Sequence, residues 1–137
     1  MNPILRNVLI VIAGIIVGSF INSTLVALGP SIIPLPEGAD NSTMEKLAET
    51  IHLFGVGNFM IVFLAHALGT LVGAYIVAKF AASRHFMLAM FVGAFFLLGG
   101  ITAAYMIGGP SWFIITDLAL AYLPMGWLGW KLAGGKK

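Results

Sequence analysis

The chain has 137 residues, of which 60% are hydrophobic and 9% charged, with a formal net charge of +2 and no cysteine. Soluble domains carry about 25% charged residues, so this chain has too little polar surface to face water, and the lipid bilayer is its expected main partner. The absence of cysteine excludes disulfides, thiolate metal sites and a cysteine nucleophile. Six of the seven basic residues fall at the ends of apolar runs or at the termini, and they form no basic face, which argues against nucleic acid as a partner.

Four apolar runs are long enough to span a bilayer at about 20 residues each: Val8–Leu28, Phe59–Ala78, Phe86–Ile107 and Trp112–Trp130. The first exceeds the roughly 7–15 residues of a signal-peptide core, so it is expected to be a retained span. It carries Gly14-x-x-x-Gly18, continued by Asn22 four residues on. Glycines at this spacing share one helical face and let a neighbouring backbone approach closely.

Residues 29–58 form a long connection. Pro30, Pro34 and Pro36 argue against a continuous helix over Gly29–Gly38, because each lacks an N–H and restricts the residue before it. Ser42-x-x-Glu45 has the form of a capping box. Met44, Leu47, Ala48, Ile51 and Phe54 then recur at helical spacing, with Glu45, Lys46, Glu49 and His52 opposite. This predicts a short amphipathic helix on the outer membrane surface or capping the bundle. Gly55 and Gly57 are expected to end it, with Asn58 capping the second span.

The second span carries His66, Gly69, Thr70 and Gly73 at i, i+3, i+4 and i+7. The histidine is thereby placed on a close-packing stripe that turns away from lipid. The third span has a waist of small residues at Gly93, Gly99, Gly100 and Ala103, and the fourth contains Asp117 and Pro124. Short links at Lys79–His85 and Gly108–Ser111 force antiparallel neighbours. The fold expected is an all-α membrane protein: a single domain, residues 1–137, built as a four-transmembrane-helix bundle with a short amphipathic outer helix between spans one and two.

An even number of spans puts both termini on one side. That side collects Arg6, Lys79, Arg84, Lys131, Lys136 and Lys137, against Lys46 on the other. The positive-inside rule then makes both termini cytoplasmic.

At a rise of 1.5 Å per residue, Asn22, His66, Thr102 and Asp117 all come out about 8–10 Å below the outer ends of their spans. Asp117 is the one acidic residue within a span, and an unpaired carboxylate in hydrocarbon costs a few kcal/mol or more. The expectation is that Asp117 pairs with His66, with Asn22 and Thr102 or Tyr105 completing the shell. Glu37 is a further candidate, swinging in from the outer loop. The set His66, Asp117, Asn22, Thr102, Tyr105 and Glu37 is read as a binding site, and Gly14, Gly18, Gly69 and Gly73 as packing faces. No catalytic residue and no cofactor is assigned, and a metal is left open.

Ser31-Ile32-Ile33-Pro34-Leu35-Pro36-Glu37-Gly38, Leu64-Ala65-His66-Ala67-Leu68-Gly69-Thr70 and Trp112-Phe113-Ile114-Ile115-Thr116-Asp117-Leu118 resemble segments of small four-span bacterial integral membrane proteins, a group without an assigned activity. The resemblance implies a bacterial cytoplasmic (inner) membrane setting and no chemistry. On the residues themselves, a buried carboxylate–histidine pair marks ion and solute routes in transporters, so the expected role is handling of protons, cations or a small polar solute near the outer face. A pore or carrier of this size would oligomerise, for which the Gly14–Gly18 face would serve. The alternative, favoured by the small-residue faces and minimal soluble parts, is a structural or accessory subunit packing in a homo-oligomer or larger membrane complex. A membrane-embedded enzyme is a third reading, but it lacks a third strong ligand and a nucleophile with its partners.

Overall fold

Asn2 starts the first helix by accepting the Ile4 N–H at 2.8 Å, and Pro3 follows at the first helical position, where a missing N–H costs nothing. In the computed structural model, which describes all 137 residues, this helix, α1, runs over Pro3–Ile32. It is followed by α2 (Met44–Thr50), a single 3-10 turn (Ile51–Leu53), α3 (Val56–Phe80), α4 (His85–Ile107), α5 (Ser111–Leu120) and α6 (Leu123–Leu132). There are no strands. Four segments are long and apolar enough to cross a membrane, α5 and α6 together making the fourth over Ser111–Leu132. The result is a four-helix bundle with a short helix between its first two spans.

The two Gly-x-x-x-Gly steps meet each other. A Cβ added at Gly18 would stand 2.6 Å from the Gly69 carbonyl oxygen, and one at Gly69 would stand 2.7 Å from the Gly18 oxygen. Gly14 and Gly73 are related in the same way, each 2.8 Å from the other's carbonyl oxygen. Antiparallel α1 and α3 therefore touch backbone to backbone, and theirs is the most extensive helix contact in the fold. This corrects one expectation: the Gly14–Gly18 face is filled by α3 instead of being left for a second molecule. Helix α3 is the centre of the bundle, packing on α1, α4 and α6. Its Ala74, Val77 and Ala78 form a small-residue core with Ala89 and Val92 of α4. Lipid tails give no hydrophobic drive between helices, so small side chains that permit close van der Waals contact hold such a core.

The termini end is stitched by polar contacts. Arg6 Nε donates to the Phe80 carbonyl at 2.9 Å, Asn7 accepts the Ala82 N–H at 2.8 Å, and His85 Nδ1 donates to the Ala78 carbonyl at 2.8 Å. Arg84, at φ 54°, makes the reversal between α3 and α4.

At the other end, three local expectations are revised. Pro30 lies inside α1, which persists to Ile32; so close to the helix end it forfeits one backbone bond, and Ile33 still donates to the Gly29 carbonyl at 2.9 Å. Helix α2 is capped by Thr43, whose hydroxyl accepts the Lys46 N–H at 3.1 Å, and not by Ser42. The cap of α3 is Gly55. Asn58 sits three residues further on and reaches back to accept the Gly55 N–H at 2.9 Å. Its amide also donates to the Ile33 and Pro34 carbonyls at 3.2 and 3.3 Å. One side chain thus ties the start of α3 to the end of α1.

Candidate functional site

Helix α3 presents His66 toward the last span, where its Nδ1 lies 2.8 Å from Asp117 Oδ1 on α5. Both side chains are largely enclosed, at 18% and 6% exposure. A third residue completes the cluster. The Tyr122 hydroxyl donates to Asp117 Oδ2 at 3.0 Å and lies 2.9 Å from His66 Nδ1. The Tyr122 ring stacks on the imidazole with centroids 5.8 Å apart and planes at 29°.

Tyr122 reaches this position because the last span is broken. Pro124 cannot donate to the carbonyl four residues earlier, and its ring clashes with that carbonyl in a continuous helix. Accordingly α5 ends at Leu120, α6 starts at Leu123, and Tyr122 takes φ −120°, ψ −76° between them. The fourth span is thus interrupted at the level of the site. Gly100 of α4 makes the room: a Cβ there would stand 2.5 Å from the Tyr122 hydroxyl oxygen.

Tyr122 spends its single proton on Oδ2. Where Asp117 is a carboxylate, Oδ1 can only accept, so the 2.8 Å contact assigns a proton to Nδ1. It is shared between Oδ1 and the Tyr122 oxygen, an assignment made from the network. Both Asp117 oxygens are thereby satisfied, as burial demands. Nε2 makes no hydrogen bond within the chain, yet it is not an enclosed atom. It is the one open polar atom of the trio.

His66 and Asp117 line the floor of a cavity of about 180 Å³ at the loop end of the bundle. Its walls come from α1 (Val26, Gly29), α3 (Phe59, Val62), α4 (Ala103, Ile107) and α5 (Phe113, Leu118). Leu47, Ile51 and Phe54 of the amphipathic segment close it from above. That segment therefore acts as a roof over the bundle.

The other residues expected at the site stand elsewhere. Asn22 is partly buried on α1 with its Cβ against Gly69, and its Oδ1 is enclosed without a protein partner; it bonds to neither His66 nor Asp117. Thr102 lies at the expected depth but on the outward face of α4, its hydroxyl donating to the Leu98 carbonyl of its own helix at 2.8 Å. Tyr105 is 91% exposed, which suits an aromatic residue of the membrane interface. Glu37 is exposed in the connection and does not line the cavity. Tyr122 is the residue that the sequence reading missed; its signal was a tyrosine two positions before an in-span proline and five after an in-span aspartate.

No three His, Cys, Asp or Glu side chains gather closely enough to hold a metal ion. What the trio offers is an imidazole oriented by a carboxylate, with one nitrogen unbonded, on a residue that lines an apolar cavity. Comparison with protein-family models, curated proteins and solved structures finds no match to this chain.

Proposed function

We propose that this chain is a small multi-pass protein of a bacterial cytoplasmic membrane that takes a small solute from the outer side into the roofed cavity, with His66 and Asp117 as its polar end. The observation that carries the reading is the His66–Asp117 pair at the floor of that cavity, held by Tyr122 and with His66 Nε2 unbonded. A cluster that served only to tie helices together would gain nothing from a cavity above it. The apolar walls favour a solute over a bare cation, which needs several oxygen ligands. The six basic residues at the termini end support cytoplasmic termini and an outward-facing cavity.

The test is reconstitution in liposomes with assays of proton flux and of counterflow of small amphiphilic solutes, beside His66→Ala and Asp117→Asn. Movement by the parent protein that both variants lose, with helicity intact, is the expected result. No movement by any form, together with loss of assembly in the variants, would favour the accessory-subunit reading.

A further inference from the structure

The polar atoms around the cavity are nearly all committed. Asn58 uses its carbonyl oxygen on Gly55 and its amide on Ile33 and Pro34. Asp117 accepts one hydrogen bond on each oxygen. Asn41 stands exposed at the mouth. Apart from Asn41 at the mouth, this leaves His66, through Nε2, as the lining side chain with an uncommitted polar atom; Phe59, Val62, Ile114 and Leu118 line the same cavity, with Ile51 and Phe54 in its roof. Buried polar groups demand partners, whereas apolar walls reward apolar contact. The complement to this interior is a compact apolar body carrying one polar group.

The identity of that group follows from what Nε2 can do. When the imidazole is neutral, with its proton on Nδ1, Nε2 presents a lone pair and needs a donor. When the imidazole is charged, Nε2–H needs an acceptor. A carbonyl or ether serves only the second state, and an ammonium only the first. A hydroxyl serves both. For size, an apolar cavity of about 150 Å³ admits benzene, and the space here is about 180 Å³.

We propose that the cavity binds a small apolar alcohol or phenol, its hydroxyl on His66 Nε2 and its hydrocarbon part beneath the Ile51–Phe54 roof. This rests on the reading that the cavity takes a solute. Such molecules collect at the membrane interface, where the roof lies, so the ligand can arrive without crossing bulk water.

The experiment uses p-cresol and toluene as probes on the full chain in micelles, following methyl signals of Ile114 and Leu118 and the ¹⁵N signal of the His66 imidazole. The comparison is repeated with His66→Phe. Toluene has the same ring and methyl group but no hydroxyl, and the ratio of the two affinities between parent and variant cancels their different partition into the micelle. In the parent, p-cresol is expected to bind about tenfold tighter than it does in the variant relative to toluene, as one hydrogen bond to a buried imidazole would give. It should also move the Nε2 signal, which toluene leaves in place. If the variant does not fold, the Nε2 response of the parent protein decides alone. Equal ratios in parent and variant, or an Nε2 signal indifferent to p-cresol while the methyl signals shift, would overturn the hydroxyl anchor and leave the solute-binding reading standing. Methyl signals indifferent to both probes would overturn the two together.

Discussion

Tyr122 reaches back to Asp117: its hydroxyl donates to Oδ2 at 3.0 Å although the residues are only five positions apart. On an unbroken helix, side chains at that separation point about 140° away from each other. The contact therefore depends on the interruption between α5 and α6, and the interruption depends on Pro124. A residue that removes a backbone hydrogen bond is what assembles the polar cluster.

Tyr122→Phe tests the cluster as a unit. It keeps the ring stacked on His66 and removes the donor to Asp117 Oδ2, leaving a buried carboxylate oxygen without a partner. The expected loss is about 1–3 kcal/mol of stability, read as a lower thermal midpoint by circular dichroism in detergent. Pro124→Ala should produce a similar loss by a different route, since a repaired helix carries Tyr122 away from Asp117. An unchanged midpoint in both variants would show that the hydroxyl does not hold Asp117.

The spans and the shared level of His66 and Asp117 are legible in the sequence because lipid imposes strong, one-dimensional constraints. An apolar run must be long enough to cross, and a charged group within it must find a partner. Rotation about the helix axis is less constrained, and there the reading of α4 goes astray. Thr102 lies in the right layer, but its hydroxyl is satisfied by the Leu98 carbonyl of its own helix, so facing outward costs it little. The inward face of α4 is instead Gly100, Ala103, Ala104 and Ile107; Gly100 admits the Tyr122 ring, and the two alanines leave space for the cavity. Tyr122 is marked only by its place before Pro124, because its direction is set by a break whose exact position no periodicity reports.

Thr102→Val and Tyr105→Phe should accordingly leave the site intact. Each is expected within about 0.5 kcal/mol of the parent in stability, with the ¹⁵N signals of His66 unmoved. A shift of those signals in either variant would mean that α4 is turned differently from the structure.

The roof carries its own pH dependence, outside the membrane-spanning segments. The Asp40 carboxylate accepts the Ser42 N–H at 2.8 Å, and Lys46 Nζ lies 3.8 Å away. Hydrogen bonding from Ser42 first, then the Lys46 charge, holds its carboxyl below the ordinary 3.8. A carboxyl lowered in the folded state contributes stability that is fully present above its unfolded value and is lost as pH falls through the folded one. Amide exchange across residues 40–50, corrected for its intrinsic pH dependence, should therefore be constant from neutral pH down to about 4 and quicken only in stronger acid. Asp40→Asn should remove the acid step. Because Asp40 is exposed, the step should be small and should shrink further in high salt. Quickening that begins near neutral pH would assign the roof's stability to another group.

The glycine contact between α1 and α3 gives the sharpest paired comparison. An alanine methyl at Gly18 would meet the Gly69 carbonyl oxygen at 2.6 Å and the Phe96 ring at 3.0 Å. The ring can turn aside, but a helix backbone can yield only by separating the two helices along their length. Gly18→Ala should therefore destabilise the bundle by about 1–3 kcal/mol, the usual cost of overpacking a tight contact. Gly99 is the control: it is also glycine within a span, but nothing stands within 4 Å of the position its Cβ would take. There alanine restricts the unfolded chain without a clash, so Gly99→Ala should be neutral or stabilising by up to about 1 kcal/mol. Thermal unfolding of the two variants in the same detergent reads the difference directly. Since Asn22 and Gly69 also touch, Gly18→Ala should shift the Asn22 side-chain amide signals while leaving those of Asn58, at the far end of α3, in place. Equal midpoints for Gly18→Ala and Gly99→Ala would mean that α1 and α3 do not meet backbone to backbone, and the α1 glycines would again be free to pack a second molecule.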